Sequence, residues 1–245
     1  MDSAPTLTSD ALGCPVPRRV IVPTMNGGMS KTRIDALGER LRKGALADDD
    51  LRQLDAWRRS FEDAYKLVMS LFGELGLPAT GRPAKSTSAI VAKLKRETIR
   101  LSQMQDIAGC RVVVESVAQQ DRLTDLFRAT RKTVIIDRRL KPSHGYRAVH
   151  VIVETGDRFV EIQIRTLLQH IWAEFSEKLS DMRGADIKYG IGDPLDLHYL
   201  RISSRAIEYH ENGEEIPPEI AQFAGPDFMN LLQSISSTPF DDNGG

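Results

Sequence analysis

Cysteine is nearly absent from the chain: of 245 residues only Cys14 and Cys110 carry a thiol. Two such residues provide neither a disulfide framework nor a thiolate metal cluster. No apolar run approaches the roughly 18 to 20 residues of a membrane span, and the first residues lack the basic-then-apolar layout of a secretory signal. A cytosolic protein with no membrane partner is therefore expected. Nor does charge of one sign predominate, with 33 Lys and Arg against 34 Asp and Glu. That balance excludes a nucleic-acid binder working by bulk charge, though it leaves room for a local patch. What remains, 41% apolar and 27% charged residues, is the profile of one globular domain with additional segments, long enough to bury a sizeable core.

The charge is unevenly placed. Between Arg82 and Arg100 six basic residues, among them Lys85, Lys93 and Arg96, face the single acid Glu97. Between Arg128 and Arg147 seven basic residues face Asp137 alone. One such run is as readily a solvated face as a binding site, but two runs flanking strand-like segments favour a polyanion such as a nucleoside triphosphate.

Residues 1–30 contain several Pro and Gly without sustained periodicity and read as a flexible leader. A long helical pattern then runs from about Ala47 to Leu75, with apolar residues three and four apart. Punctuators from Gly73 to Pro83 end it, and a basic helix follows from about Ser86 to Leu101, capped by Ser86 or Ser88. Strands are expected at Cys110–Glu115, Thr133–Asp137, Arg147–Glu154 and Arg158–Ile164, the last two as a hairpin around Gly156. Helices are expected at Gln119–Ala129, from Leu167 to Leu179 and at Leu195–Glu211. Interleaved strands and helices with a hairpin predict an α/β (α+β) fold with a mixed sheet flanked by helices. Residues 31–215 read as one domain, with a C-terminal tail and short helix at 216–245.

Strand parity places Val160, Ile162 and Ile164 on one face, and Phe159, Glu161, Gln163 and Arg165 on the other. Tyr146, Ala148, His150 and Ile152 share a face of the neighbouring strand. An aromatic ring, a base, a carboxylate and a cation then come within reach of one another. A second carboxylate, Asp106, stands at the entrance of a strand, where Mg²⁺ could be held together with substrate phosphates; by itself it reads equally as a turn residue. Two patterns are decoys. Gly76 and Gly81 have phosphate-loop spacing, but Arg82 and Pro83 stand where Lys and Ser or Thr are required. His170 and Glu174 are four apart on a helix, yet no third metal ligand accompanies them.

Three segments, Gln105–Val112, His144–His150 and Val160–Thr166, resemble in order and spacing the synthetase domain of RelA/SpoT enzymes, over about residues 50–190. The size resembles that of the small, stand-alone alarmone synthetases. The resemblance implies a nucleotidyltransferase fold of the polymerase β kind and an ATP-dependent pyrophosphokinase. Such an enzyme transfers pyrophosphate from ATP to the 3′-hydroxyl of GDP or GTP, makes the guanosine alarmones (p)ppGpp, and releases AMP. It further implies that Asp106 and Glu161 hold Mg²⁺ and that Glu161 activates the acceptor hydroxyl. Arg82 and Arg111 would sandwich adenine, with Lys85, Lys93 and Arg96 on the ATP phosphates. Tyr146 would stack on the acceptor guanine, with His150, Gln163, Arg165 and Lys141 completing the acceptor site. A role for Tyr146 confined to its ring makes Tyr146→Phe a mild change.

The alternatives are a toxin of the same fold acting on the tRNA 3′ end or making adenosine alarmones, an ordinary nucleotidyl transferase, and an idle nucleotide-binding module. For tRNA, Arg128, Arg131, Lys132, Arg138 and Arg139 are the candidate surface; a homo-oligomer or a neutralising antitoxin are the candidate regulators. The sequence departs from the family form at Lys141–Tyr146, one residue longer than Lys-Pro-Asn-Gly-Tyr, and at Gln169-His170. None of the five histidines is followed by Asp, so alarmone hydrolysis is not expected.

Overall fold

The computed structural model describes residues 29–44, 47–130, 133–184 and 186–237. The expected leader lies almost wholly outside these residues, as do Arg131 and Lys132. The described chain forms helices α1 (Lys31–Lys43), α2 (Asp48–Arg59) and α3 (Glu62–Glu74), then strand β1 (Ala79–Arg82) and helix α4 (Thr87–Arg96). Strand β2 (Ala108–Val114), helix α5 (Val117–Arg128) and strands β3 (Thr133–Asp137), β4 (Val149–Thr155) and β5 (Arg158–Thr166) follow. Helices α6 (Leu167–Arg183), α7 (Pro194–Glu211), α8 (Pro218–Ala224) and α9 (Pro226–Ser237) complete it.

The strands form one mixed sheet in the order β1-β2-β5-β4-β3, in which only the central β2–β5 pair is parallel. Alternation along β2 and β5 sends Cys110, Val112, Val160, Ile162 and Ile164 into the main core, where α3 and α5 cover them. Full burial of one such Ile contributes roughly 1.5–3 kcal/mol. The opposite face carries Arg111, Glu161, Gln163 and Arg165, and helices α6 to α9 build a second apolar cluster around Trp172 and Leu200 beside it.

Three expectations are corrected. The long helix is two, because at Ser60 the side-chain hydroxyl donates to the Trp57 carbonyl at 2.6 Å and competes with the helical ladder. The apolar stripe runs through the break, so periodicity could not reveal it. The punctuated stretch 73–83 contains a strand, β1, which forms because β2 offers it an edge. A Cβ on Gly81 would lie 2.5 Å from the Gly109 carbonyl oxygen, so the two backbones approach as only glycine allows. Finally, the C-terminal segment holds two helices rather than one short helix, and their Ile220 and Leu232 are buried in the second cluster. The segment 218–237 forms helices because its apolar residues meet the second cluster.

Candidate active site

The polar face of the sheet follows from register. His150 pairs with Gln163 across β4–β5, and Gly109 and Arg111 of β2 pair with Glu161 and Gln163 of β5. Side chains of paired residues emerge on the same side, so alternation alone gathers His150, Glu161, Gln163, Arg165 and Arg111 on one surface. Glycine at position 109 leaves open the space beside Glu161: a Cβ there would sit 3.0 Å from the Glu161 carbonyl oxygen.

Four of these side chains, with Tyr146, close a ring of hydrogen bonds. Arg165 Nη2 donates to Tyr146 Oη at 3.1 Å and to Gln163 Oε1 at 2.7 Å. Tyr146 Oη stands 2.9 Å from His150 Nε2, His150 Nδ1 stands 2.9 Å from Glu161 Oε1, and Gln163 Nε2 donates to Glu161 Oε2 at 3.0 Å. Donor roles are assigned from the partners. Arginine can only donate, so the Tyr146 proton goes to His150 Nε2, and His150 Nδ1–H donates to Glu161. Every path ends on the Glu161 carboxylate, which is only 18% exposed. Burial opposes its ionisation, but the contacts from His150 and Gln163 outweigh it and hold Glu161 below the usual carboxylate range. Asp106 pushes the other way, which places the two acids within each other's field.

Asp106 lies just before β2. Lys85 Nζ is 2.6 Å from its Oδ2 and Lys93 Nζ 2.9 Å from its Oδ1. Burial opposes this charge as well, yet the two ammonium groups hold Asp106 below its ordinary value. Lys93 comes from α4, whose N-terminus is capped by Ser86 as expected, and Lys85 from the loop before it, where the Lys85 N–H donates to the Ile107 carbonyl at 2.7 Å. Among the described residues no group of three His, Cys, Asp or Glu could hold a metal. The available donors are two carboxylates, which suits a hard cation completed by phosphate oxygens and water. Cys110, on the core face of β2, is a packing residue: burial, reinforced by Glu161, pushes its thiol up to about 12.

The structure separates other candidates from this cluster. Lys141 is exposed on the β3–β4 loop, and among the described residues no hydrogen bond or ion pair joins it to the cluster. Arg82 lies at the end of β1, paired in register with Gly109. Arg111 Nη1 donates to Glu174 Oε1 at 2.8 Å, so Glu174 is a partner of a site residue, which helix spacing alone had tied to His170. Three of the seven basic residues of the second run are paired with acids. Arg139 is paired with Asp137 and Asp121, Arg147 with Glu208, and Arg128 with Asp125.

The lengthened loop resolves into a tight turn. Ser143 and Tyr146 exchange backbone hydrogen bonds, and His144 and Gly145 between them both have positive φ, 53° and 96°. That is the type I′ geometry. It seats Gly145 against Trp172, with no room for a Cβ, and aims Tyr146 at His150. Gln169, at the second departure, is 2% exposed and hydrogen-bonds Gln120, Glu211 and the Thr166 backbone, which makes it structural.

Known proteins resemble this chain in sequence and in fold. Residues 81–180 match the family model described as a region found in RelA/SpoT proteins. The GTP pyrophosphokinase YjbM of Bacillus subtilis is 29% identical over 158 residues, 58% of this chain and 72% of that protein. An uncharacterized protein of Mycobacterium tuberculosis is 44% identical over 112 residues, which are 43% of this chain but only 41% of that longer relative. Among solved structures, small alarmone synthetase 2 of B. subtilis has a TM-score of 0.52 at 21% identity, covering 67% of this chain and 95% of that one. Small alarmone synthetase 1 of B. subtilis, bound to its product pppGpp, has a TM-score of 0.53 at 23% identity, covering 68% and 95%. With its mixed sheet and polar strand face, the chain has the fold of the small alarmone synthetases, and its residues 81–180 match the RelA/SpoT region.

Proposed function

We propose that the protein is an ATP:nucleotide 3′-pyrophosphotransferase, with GDP or GTP as acceptor and (p)ppGpp as product. The observation that carries this reading is the closed hydrogen-bond ring on Glu161. It leaves an ionised, oriented carboxylate beside a second acid already flanked by lysines. In the reaction Glu161 takes the proton of the acceptor 3′-hydroxyl. The oxygen attacks the β-phosphorus of ATP, and the bond from that phosphorus to the α–β bridging oxygen breaks, releasing AMP.

Lys85, Lys93 and Arg96 surround the transferred phosphates, and Arg111, held by Glu174, lies toward the adenine with Arg82. Incoming phosphate oxygens compete for Lys85 and Lys93 and thereby uncover Asp106. Asp106 and Glu161 would hold Mg²⁺, which disperses the charge developing on the transferred group. The Nε–H of Arg111 and of Arg165 is buried and lacks a hydrogen-bond partner among the described residues.

Of the tRNA candidates, Arg128 and Arg139 are paired with acids, and because a polynucleotide track needs unneutralised cations this supports a free nucleotide over tRNA. The test is to supply γ-labelled ATP with GDP, GTP, ATP and tRNA separately and follow the label. Label on GDP or GTP with AMP release supports the reading. Label only on tRNA or on adenine nucleotide moves the acceptor, and release of pyrophosphate without AMP refutes the reaction.

A further inference from the structure

Helix α4 supplies two of the donor-side cations, Lys93 and Arg96, and Arg96 is held by a residue distant in sequence. The Arg96 guanidinium lies over the ring of Tyr189, its Cζ 3.8 Å from the centroid. Tyr189 belongs to the short 3₁₀ turn Ile187–Tyr189 that follows α6. That turn is rigidly based. Ile187 is fully buried in the second apolar cluster, and the backbone N–H groups of Tyr189 and Gly190 donate back to Asp186 and Ile187 at 2.8 Å each. Gly190, with φ of 79°, lies directly under the His144 ring, where a Cβ would come within 2.4 Å of two ring atoms. One turn thus touches both the donor-side basic helix and the turn that carries Tyr146.

We infer that Tyr189 is a positioning residue of the donor site, a fixed aromatic platform that holds the Arg96 guanidinium for the phosphates of ATP. Arginine carries about 2 kcal/mol of rotamer entropy, and a planar partner removes much of that freedom before substrate arrives. With its face on the ring, the guanidinium keeps its N–H edge for oxyanions; Glu97, 2.9 Å from Nη2, occupies one of these donors in the free protein.

This inference rests on the donor-site reading above, and calorimetric titration of the full chain with MgATP and, separately, with AMP tests the two apart. Tyr189→Leu is expected to weaken MgATP about five-fold and AMP hardly at all, since a cation–π contact of about 1 kcal/mol is lost only from the phosphate end. Tyr189→Phe, which keeps the ring, retains most of the affinity. Arg96→Lys, which keeps the charge but not the plane, reproduces the loss without touching the turn. In the double variant Arg96→Gln/Tyr189→Leu, binding is no weaker than in Arg96→Gln alone. MgATP binding that depends on Arg96 but is indifferent to Tyr189, or additive losses in the double variant, overturns the inference alone. No MgATP binding by the wild type, or none of it sensitive to Arg96, overturns the donor-site reading with it.

Discussion

Tyr146→Phe separates a structural reading of the site from one based on stacking alone. The substitution keeps the ring and removes one oxygen, which accepts from Arg165 at 3.1 Å and meets His150 Nε2 at 2.9 Å. Arg165 is only 4% exposed, so water cannot freely replace the lost acceptor, and burial around the Tyr146 hydroxyl, which keeps its pKa above the usual value, is equally confining. Two hydrogen bonds at about 1 kcal/mol each give roughly 2 kcal/mol of lost stability. For a chain of this size that is a fall of about 4–8 °C in Tm. His150 then loses the partner that fixes its tautomer, and Glu161 loses its orientation. A fall in kcat of about ten-fold or more is expected, with KM for ATP little changed. Calorimetric melting and steady-state pyrophosphoryl transfer measure the two effects, and pairing with His150→Gln shows whether they share a path, since coupled residues give non-additive losses. A Phe variant with wild-type Tm and kcat within two-fold would mean that Tyr146 contributes only its ring face.

Glu161→Gln removes the base and should lower kcat at least about 100-fold while the chain stays folded by circular dichroism; more than a tenth of wild-type activity contradicts the assignment. Asp106→Asn should abolish transfer and leave Lys85 and Lys93 facing each other. Because the folded pKa of Asp106 is depressed, its contribution to stability is present above the unfolded value of about 3.9 and is lost as pH falls through the folded value. The difference in urea midpoint between wild type and Asp106→Asn should therefore be full at pH 7 and shrink as pH falls below the unfolded value. Glu174→Gln should raise KM for ATP several-fold with kcat nearly unchanged, since it frees Arg111 without touching the base; a fall in kcat alone would place Glu174 elsewhere in the reaction. Glu211 has the opposite sign: burial raises its pKa despite donors from Thr166 and Gln169, so Glu211→Gln should cost less stability at pH 8 than at pH 4 in the same denaturation assay.

By itself the sequence determined four of the five strands and the faces of β5, because period-two alternation is a local property that survives into the sheet; β1 it did not show. From Val160 to Arg165 it told apart the residues that face the core and those that face the site. It also determined the basic helix start, with Ser86 one of its two candidate caps, and the hairpin at Gly156, which depend on side-chain and backbone chemistry within a few residues. Only the tertiary structure decided which charges remain available. The runs at 82–100 and 128–147 look alike along the chain, but Arg139 meets Asp121 and Arg147 meets Glu208 across gaps of 18 and 61 residues, whereas Lys85 and Lys93 converge on the single acid Asp106. The same holds for Glu174 with Arg111, for Tyr189 under Arg96, and for the ring that ends on Glu161. Pairing between distant elements is set by how helices dock on the sheet, and no local periodicity encodes it.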